Sequence, residues 1–154
     1  MPNTSPRTWT IEATARTSAP VEAVWPLIGE AARWKDWSFM TRTFLLREGD
    51  PAPDGVGAIR RFALGPGGSK EEVVAWEPPH HLGYKALSGL PVKSYSADVY
   101  LESDGNGTVV TWRSRFVPLV PGTGALVNLW LRRLVRGFAT GVCRYADRIG
   151  AGTS

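Results

Sequence analysis

Cysteine is nearly absent from this chain of 154 residues, in which Cys143 is the single thiol. One cysteine excludes an internal disulfide and any metal site built from several thiolates. Long apolar runs are also absent, since no stretch approaches the roughly 20 residues of a membrane span. The first ten residues, MPNTSPRTWT, lack the apolar core of a secretory signal. We therefore expect one cytoplasmic domain over 1–154, with its core at about 8–149 and no membrane span.

Histidine is scarce as well, and its two copies, His80 and His81, are adjacent within WEPPHHLGY. Histidine suits proton transfer near neutral pH. However, neighbours in an extended chain point to opposite faces, and no acidic or histidine partner stands at ligand spacing nearby. The two preceding prolines predict a turn between two strands. An exposed turn is the favoured interpretation, ahead of a place at a pocket rim and of metal binding.

Charge clusters and catalytic motifs are also missing. The net charge is +4, but no run of lysine or arginine exceeds two residues, which argues against nucleic acid as a partner. No GxSxG motif is present, and Cys143 is expected on the polar side of a helix, away from any histidine. The glycine-rich stretch 49–57 leads into a strand, so a hairpin loop is favoured over a phosphate loop. We expect no metal, nicotinamide or flavin cofactor.

The sequence does contain a series of strand patterns. Residues 8–17 alternate apolar and polar side chains, as expected for a strand with one wet face. Two short helical segments follow, at about 21–28 with Ser18 as the expected N-cap, and at about 30–34. Short links of turn residues then favour antiparallel neighbours. Six further strands are predicted at 40–47, 57–64, 70–76, 82–88, 93–102 and 108–117.

The period of the apolar pattern changes near residue 124. Between Gly124 and Ile149 the apolar residues fall on one stripe, which predicts a helix of about 25 residues. The stripe consists of Val127, Trp130, Leu131, Leu134, Phe138, Val142 and Tyr145. Gly137 and Gly141 lower the helix propensity, so we expect another element or a ligand to approach the helix there.

Five segments stand out within this order of elements: ARTSAPVEAVWPLI at 15–28, RWKDW at 33–37, DGVGAIRRF at 54–62, EEVVAWEPPHHLGY at 71–84 and the C-terminal helix. In these segments the chain resembles the SRPBCC superfamily, the helix-grip fold of START domains, the birch-pollen allergen and polyketide cyclases/dehydrases. Together they cover about 10–148 and are similar to small bacterial polyketide cyclase/dehydrase-type members.

The resemblance implies an α+β helix-grip fold. In that fold a curved, seven-stranded antiparallel sheet wraps round a long C-terminal helix, with two short helices between the first two strands. It also implies an internal apolar cavity for a hydrophobic or aromatic small molecule, with the 49–57 loop near the mouth. Members differ widely in activity, so the fold alone does not give the function.

Candidate ligand-binding residues lie on the strand faces expected to point inward. One residue of the Arg60-Arg61 pair should be buried, where it needs a carboxylate such as Glu72 or a ligand oxygen. Asp98 is expected on the wet face, and an inward proton relay that includes it is the alternative. The candidates are Arg60, Arg61, Trp76, Tyr84, Tyr95, Val99, Trp112, Phe116, Trp130, Leu134 and Phe138.

The leading hypothesis is a protein that binds a polyketide-, lipid- or steroid-like molecule in an internal cavity, with a cyclase/aromatase-like activity left open. If chemistry takes place, Tyr84 or Tyr95 would donate a proton, and an inward arginine, with Arg61 as the named candidate, would stabilise an enolate. The alternatives are a non-catalytic carrier or sensor of hydrophobic ligands and a protein-interaction module. The ligand and the oligomeric state stay open.

Overall fold

A computed structural model of the chain describes residues 5–152. The strands are β1 Trp9–Thr17, β2 Arg42–Arg47, β3 Ile59–Leu64, β4 Gly67–Glu77, β5 His81–Ser88, β6 Val92–Asp104 and β7 Gly107–Pro118. The helices are α1 Val21–Gly29, α2 Trp34–Trp37, which continues a 3-10 turn at Ala31–Arg33, and α3 Gly124–Ala151. Each predicted strand is present close to its predicted limits. Within residues 5–152, no helix has the length and apolar character needed to cross a membrane.

The seven strands form one antiparallel sheet in the order β1-β7-β6-β5-β4-β3-β2. The first strand pairs with the last, so that Trp9 faces Phe116 and Thr17 faces Thr108. Each of the other pairs joins strands that are consecutive in the chain, as the turn residues predicted. The fold is therefore the α+β helix-grip fold, with short helices after β1 and one long C-terminal helix.

A single carboxylate ties α3 to the end of β1. Asp147 Oδ1 accepts hydrogen bonds from Thr17 Oγ1 at 2.6 Å, from the backbone N–H of Ser18 at 2.9 Å and from Ser18 Oγ at 3.0 Å. These bonds stabilise the charged form and lower the pKa of Asp147. The prediction that Ser18 caps α1 is wrong, because Pro20 holds the N-cap position and the Ser18 side chain binds Asp147 instead.

The buried face of α3 differs from the stripe that the sequence predicts, because Trp130 is half exposed and Leu134 and Tyr145 are only partly buried. The helix contacts β1 and β7 on one side and α1 and α2 on another, so residues between the two sides are also covered. Its buried residues are Gly124, Val127, Leu131, Val135, Phe138, Ala139, Val142, Cys143 and Ala146. The expectation that Cys143 lies on the polar side is therefore wrong. Burial, followed by the charge of Asp147, raises the pKa of this thiol to about 12, so it is an inert core residue.

Two tryptophans fix the short helices between the sheet and α3. The indole N–H of Trp34 donates to the Ile28 carbonyl at 2.8 Å, and that of Trp37 donates to the Leu27 carbonyl at 2.7 Å. A Cβ atom at Gly141 would stand 2.9 Å from the carbonyl oxygen of Trp37. The predicted close approach is confirmed at this glycine, and α2 is the element that approaches. At Gly137 the prediction is wrong, because a Cβ atom there would have no neighbour within 4 Å among the described residues.

Candidate functional site

An apolar cavity of about 150 Å³ lies between the sheet and α3. Strands β3 to β6, α2 and the middle of α3 surround its inner end, and two hairpin turns and the link after α2 surround its mouth. The lining residues are Trp34, Phe39, Met40, Phe62, Leu64, Gly67, Gly68, Ser69, Glu71, Tyr84, Gly89, Leu90, Tyr95, Trp130, Leu134 and Phe138. Most of the lining is apolar, and among the described residues that form it Glu71 is the one with a charged side chain.

Aromatic rings form the wall of the inner end. The ring of Trp34 is almost fully buried, and its centre lies 4.7 Å from that of Phe62, 5.3 Å from that of Phe138 and 5.7 Å from that of Trp112. Tilted and edge-on contacts at such distances are favourable for aromatic pairs. The helix α2, the sheet and α3 each contribute a ring to this wall. The contacts between the rings therefore hold the three layers in fixed positions relative to one another.

The mouth of the cavity combines exposed apolar side chains with tight glycine turns. Phe39, Leu64 and Trp130 are 42%, 48% and 46% exposed. Gly68 and Gly89 belong to the neighbouring β3–β4 and β5–β6 hairpins and adopt φ values of +150° and +97°. A Cβ atom at Gly89 would stand 2.1 Å from the carbonyl oxygen of Gly68. Glycine is thus required for the two turns to meet beside the mouth.

Two buried tyrosines contribute hydroxyl groups near the inner end. The hydroxyl of Tyr84 accepts a hydrogen bond from Trp112 Nε1 at 3.1 Å, and that of Tyr95 lies 2.9 Å from Ser114 Oγ. Burial raises the pKa of Tyr95 to about 12 and that of Tyr84 well above its usual value. The negative charge of Glu71 adds to both shifts. Both phenols are therefore neutral at physiological pH.

Arg60 and Glu71 form a buried ion pair at the same end. They face each other across β3 and β4, and Arg60 Nη2 donates to Glu71 Oε1 at 2.7 Å. The guanidinium carbon lies 5.2 Å from the ring centres of Trp34 and Phe62 and 5.4 Å from that of Tyr84. Arg60 Nε and Nη1 have no hydrogen-bond partner within the described part of the chain. Aromatic rings therefore surround the rest of this cation.

The inner position of Glu71 changes its acidity. Burial raises its pKa, and the charge and hydrogen bond of Arg60 oppose that rise. Arg60 is completely buried and is not part of the cavity lining, whereas Glu71 is. Of the two partners, a molecule in the cavity thus meets Glu71 and not Arg60.

The structure places several of the predicted site residues at the cavity. Tyr84, Tyr95, Trp130, Leu134 and Phe138 all line the cavity. Exactly one arginine of the adjacent pair is buried, as strand alternation requires. Its partner is a glutamate, although it is Glu71 and not the suggested Glu72. The ion pair agrees with the first of the two partners that the sequence predicts for a buried arginine, a carboxylate.

Other candidates lie away from the cavity. Arg61 is exposed, with its guanidinium carbon 5.7 Å from the ring centre of Phe44, because the pleat of β3 directs it away from Arg60. Trp76 packs edge-on against Trp25, with ring centres 5.0 Å apart. Neither residue belongs to the lining, so the structure places the named catalytic arginine on the wrong face.

Val99, Trp112 and Phe116 point inward as predicted, yet they lie outside the lining. All three are fully buried, and Trp112 reaches the site only through its hydrogen bond to Tyr84. These side chains form the core beneath the cavity. Strand alternation therefore predicts which residues are buried, but it does not distinguish the buried residues that line the cavity from those that form the core.

Sequence reasoning missed Glu71 and the aromatic residues supplied by α2 and by the link after it. A signal for Glu71 was present, because a two-residue turn at Gly65 places Leu64 opposite Gly67. The same register carried along the hairpin places Arg60 opposite Glu71. No comparable signal identifies Trp34 or Phe39, since their position depends on how the short helices pack.

The histidines lie at a turn, as predicted, and outside the cavity lining. His80 is exposed in the turn and His81 is the first residue of β5. The sequence expectation that no acidic partner lies nearby is wrong for His81, whose Nε2 is 2.7 Å from Asp98 and whose Nδ1 is 2.8 Å from Glu77. Its ring also stacks on Tyr100 at 4.6 Å. No group of three potential metal ligands occurs within residues 5–152.

Asp98 lies on the outer face with His81, so the inward proton relay is not formed. The 49–57 loop likewise contributes nothing to the lining. It folds back on itself, since Gly49 N donates to the Pro53 carbonyl and Gly55 N to the Pro51 carbonyl. The expected position of this loop at the mouth is therefore wrong, and the β3–β4 and β5–β6 turns take that place.

Comparison with known proteins supports the fold and gives the family. The sequence matches the family described as polyketide cyclase / dehydrase and lipid transport over residues 8–146. No curated protein sequence matches it. A START superfamily protein from Mycobacterium smegmatis has a TM-score of 0.76 at 10% identity, with 94% of this chain and 99% of that chain covered.

Two further structures share the fold. A point mutant of norcoclaurine synthase from Thalictrum flavum, in complex with a transition state analogue, has a TM-score of 0.75 at 16% identity, with 96% of this chain and 99% of that chain covered. Ara h 8.0201 has a TM-score of 0.74 at 11% identity, with 91% and 98% covered. Identities this low show likeness of fold alone. The family match spans most of the chain, and the chain belongs to the polyketide cyclase / dehydrase and lipid transport family of the SRPBCC superfamily.

Proposed function

We propose that this protein binds a small hydrophobic molecule by enclosing an aromatic group of that molecule in the cavity. The observation that carries the proposal is an apolar, ring-lined space of about 150 Å³ that opens between exposed apolar side chains. An engineered apolar cavity of about 150 Å³ binds benzene. One aromatic ring therefore fits inside, and a second fused ring or any longer part of the ligand extends towards the mouth along Phe39 and Trp130.

Binding without chemistry is the form of this function that the site supports best. Both tyrosines are neutral and the one thiol is a core residue, so neither the phenols nor the thiol supplies a nucleophile to the cavity. A cyclase-like activity is the second candidate. It is favoured by one observation, which is that the hydroxyls of Tyr84 and Tyr95 lie protonated and buried near the carboxyl group of Glu71.

The binding proposal is tested by filling the cavity. Leu134 lines it half-buried from α3, whereas Leu129, on the same helix, is exposed and outside the lining. We expect Leu134→Trp to weaken naphthalene uptake in equilibrium dialysis at least about tenfold, and Leu129→Trp to leave it unchanged. Equal uptake by both variants, or none by the wild-type protein, would contradict the proposal.

The two forms of the function differ in what happens to the ligand. Native mass spectrometry of the freshly purified protein would identify a co-purified molecule, which is then incubated with the protein. A carrier returns it unchanged, and Tyr84→Phe and Tyr95→Phe alter its affinity in a graded way. A cyclase converts it, and the same changes abolish product while binding largely survives.

A further inference from the structure

We infer that the ligand carries a hydrogen-bond donor, such as a phenol or an alcohol, which binds the free carboxylate oxygen of Glu71 at the inner end of the cavity. This inference rests on the proposed function and names the class of molecule that the site selects. The expected ligand is a hydroxylated aromatic compound with an apolar remainder. Carboxylic acids and plain hydrocarbons are the classes that it rejects.

The first step concerns which oxygen of Glu71 is available. Its Oε1 accepts the hydrogen bond from Arg60 Nη2. Its Oε2 accepts no hydrogen bond from any residue in the range 5–152 and is not among the fully buried polar atoms, and Glu71 is one of the residues that line the cavity. A carboxylate oxygen has more than one acceptor position. The cavity therefore contains an acceptor that the protein itself leaves open.

The second step concerns the charge of that carboxyl group. Arg60 is completely buried, and a guanidinium stays protonated in proteins. Glu71 is the acidic residue that contacts it, and a buried cation needs a counter-charge. The ion pair with Arg60 favours the carboxylate form of Glu71 against the rise in its pKa that burial causes, and a carboxylate accepts hydrogen bonds and donates none. The pair is neutral as a whole, so the site does not require a cationic ligand.

The third step concerns ligands with the opposite polarity. Arg60 lies outside the lining, and its nitrogens Nε and Nη1, which have no partner within residues 5–152, belong to a guanidinium that lies among the rings of Trp34, Phe62 and Tyr84. An anionic ligand would meet Glu71 before it could reach Arg60. Fatty acids and aromatic acids are therefore repelled at the inner end. The enolate-stabilising arginine suggested by the sequence is replaced by a glutamate that selects donors.

The strength of a hydrogen bond to a charged group sets the expected preference for a ligand with a donor over the same ligand without one. A hydrogen bond to a charged group contributes enough to change affinity about 10- to 100-fold. A hydrocarbon that enters the cavity excludes water from Oε2 and gives this oxygen no hydrogen-bond partner. This loss weakens the binding of the hydrocarbon and adds to the preference for a ligand with a donor. A ligand with a donor should thus be favoured over its matched analogue by about that factor.

Four probes of one shape test the inference by equilibrium dialysis with the intact protein. They are 2-naphthol, naphthalene, 2-methoxynaphthalene and 2-naphthoate. We expect 2-naphthol to bind about 10- to 100-fold more tightly than naphthalene and 2-methoxynaphthalene, and 2-naphthoate to bind most weakly. Equal binding of naphthol and naphthalene would overturn the inference and leave the proposed function intact. Failure of all four would overturn both.

Two variants assign the preference to Glu71. Glu71→Gln should reduce the advantage of 2-naphthol over 2-methoxynaphthalene at least about tenfold. Replacement of the whole pair by Arg60→Met with Glu71→Met removes both charges together, which a folded core can tolerate. This double variant should bind naphthalene at least as well as the wild-type protein and show no preference for naphthol.

Leu134→Ala is the control, and it should weaken the binding of the three uncharged probes by similar factors. A naphthol preference that survives in the double variant would overturn the inference.

Discussion

Glu71 and Glu72 are adjacent on β4, but they lie on opposite faces of the sheet and behave in opposite ways. Burial raises the pKa of Glu71, whose partner is the buried Arg60. On the outer face, the hydrogen bond to Lys85, followed by that to Arg47, lowers the pKa of Glu72. The pleat of the strand alone separates these environments. An identical residue type is thus a solvated surface charge on one face and a recognition element on the other.

The largest difference between the faces is expected in stability. Glu71→Gln leaves the charge of Arg60 buried without a counter-charge, and loss of one partner of such a pair costs about 3–5 kcal/mol. Glu72→Gln, its matched control, should leave the urea midpoint nearly unchanged, because exposed ion pairs contribute little. Urea denaturation of both variants measures the comparison. Similar midpoints for the two would show that burial does not separate the two glutamates.

A smaller contrast of the same kind involves two tyrosines of β6. Tyr95→Phe removes the inner hydrogen bond to Ser114 and leaves a buried hydroxyl unpaired, at a cost of about 1–3 kcal/mol. Tyr100→Phe on the outer face keeps its stacking on His81 and should change stability by less than about 0.5 kcal/mol.

A double variant separates this effect from simple loss of packing. Tyr95→Phe combined with Ser114→Ala removes both partners, so it should recover much of the stability that Tyr95→Phe loses. Chemical denaturation of the single and double variants gives the coupling energy. Strict additivity would show that the two hydroxyls do not form the bond in solution.

The two faces also explain how far the sequence could predict this molecule. Alternation in β5, β6 and β7 was sufficient to orient Tyr84, Tyr95 and Trp112, because a one-residue shift would expose the whole core face. Helical periodicity was less informative for α3. It identified Phe138 but placed Cys143 on the polar side, since it could not foresee that α1 and α2 cover a second side of the helix.

The cavity itself depended on contacts between elements distant in sequence. Trp34 and Phe39 come from the segment between α1 and β2, and the turns that carry Gly68 and Gly89 reach the same place from the sheet. Local patterns do not determine how such segments pack on one another. The position of the mouth was therefore predicted at the 49–57 loop, which instead closes on itself.

The smallest expected effect belongs to the outer face and depends on pH. Burial lowers the pKa of His81, but hydrogen bonds to Asp98 and Glu77 outweigh it, and the pKa lies above the usual 6.5. The folded state thus holds the proton more tightly than the unfolded state. The resulting stability is complete below the unfolded pKa and is lost as the pH rises through the folded pKa.

Because His81 is partly exposed, we expect this contribution to be below about 1 kcal/mol. The free energy of unfolding, measured in urea from about pH 5 to about pH 9, should fall across the histidine range. His81→Gln keeps a polar side chain without a titrating group, so it should flatten that part of the profile. Glu71→Gln should leave this slope in place, since Glu71 lies on the other face of the sheet. If the free energy of unfolding of His81→Gln still fell across this pH range, another group would be responsible for the titration, and His81 would not contribute to the difference between the two faces.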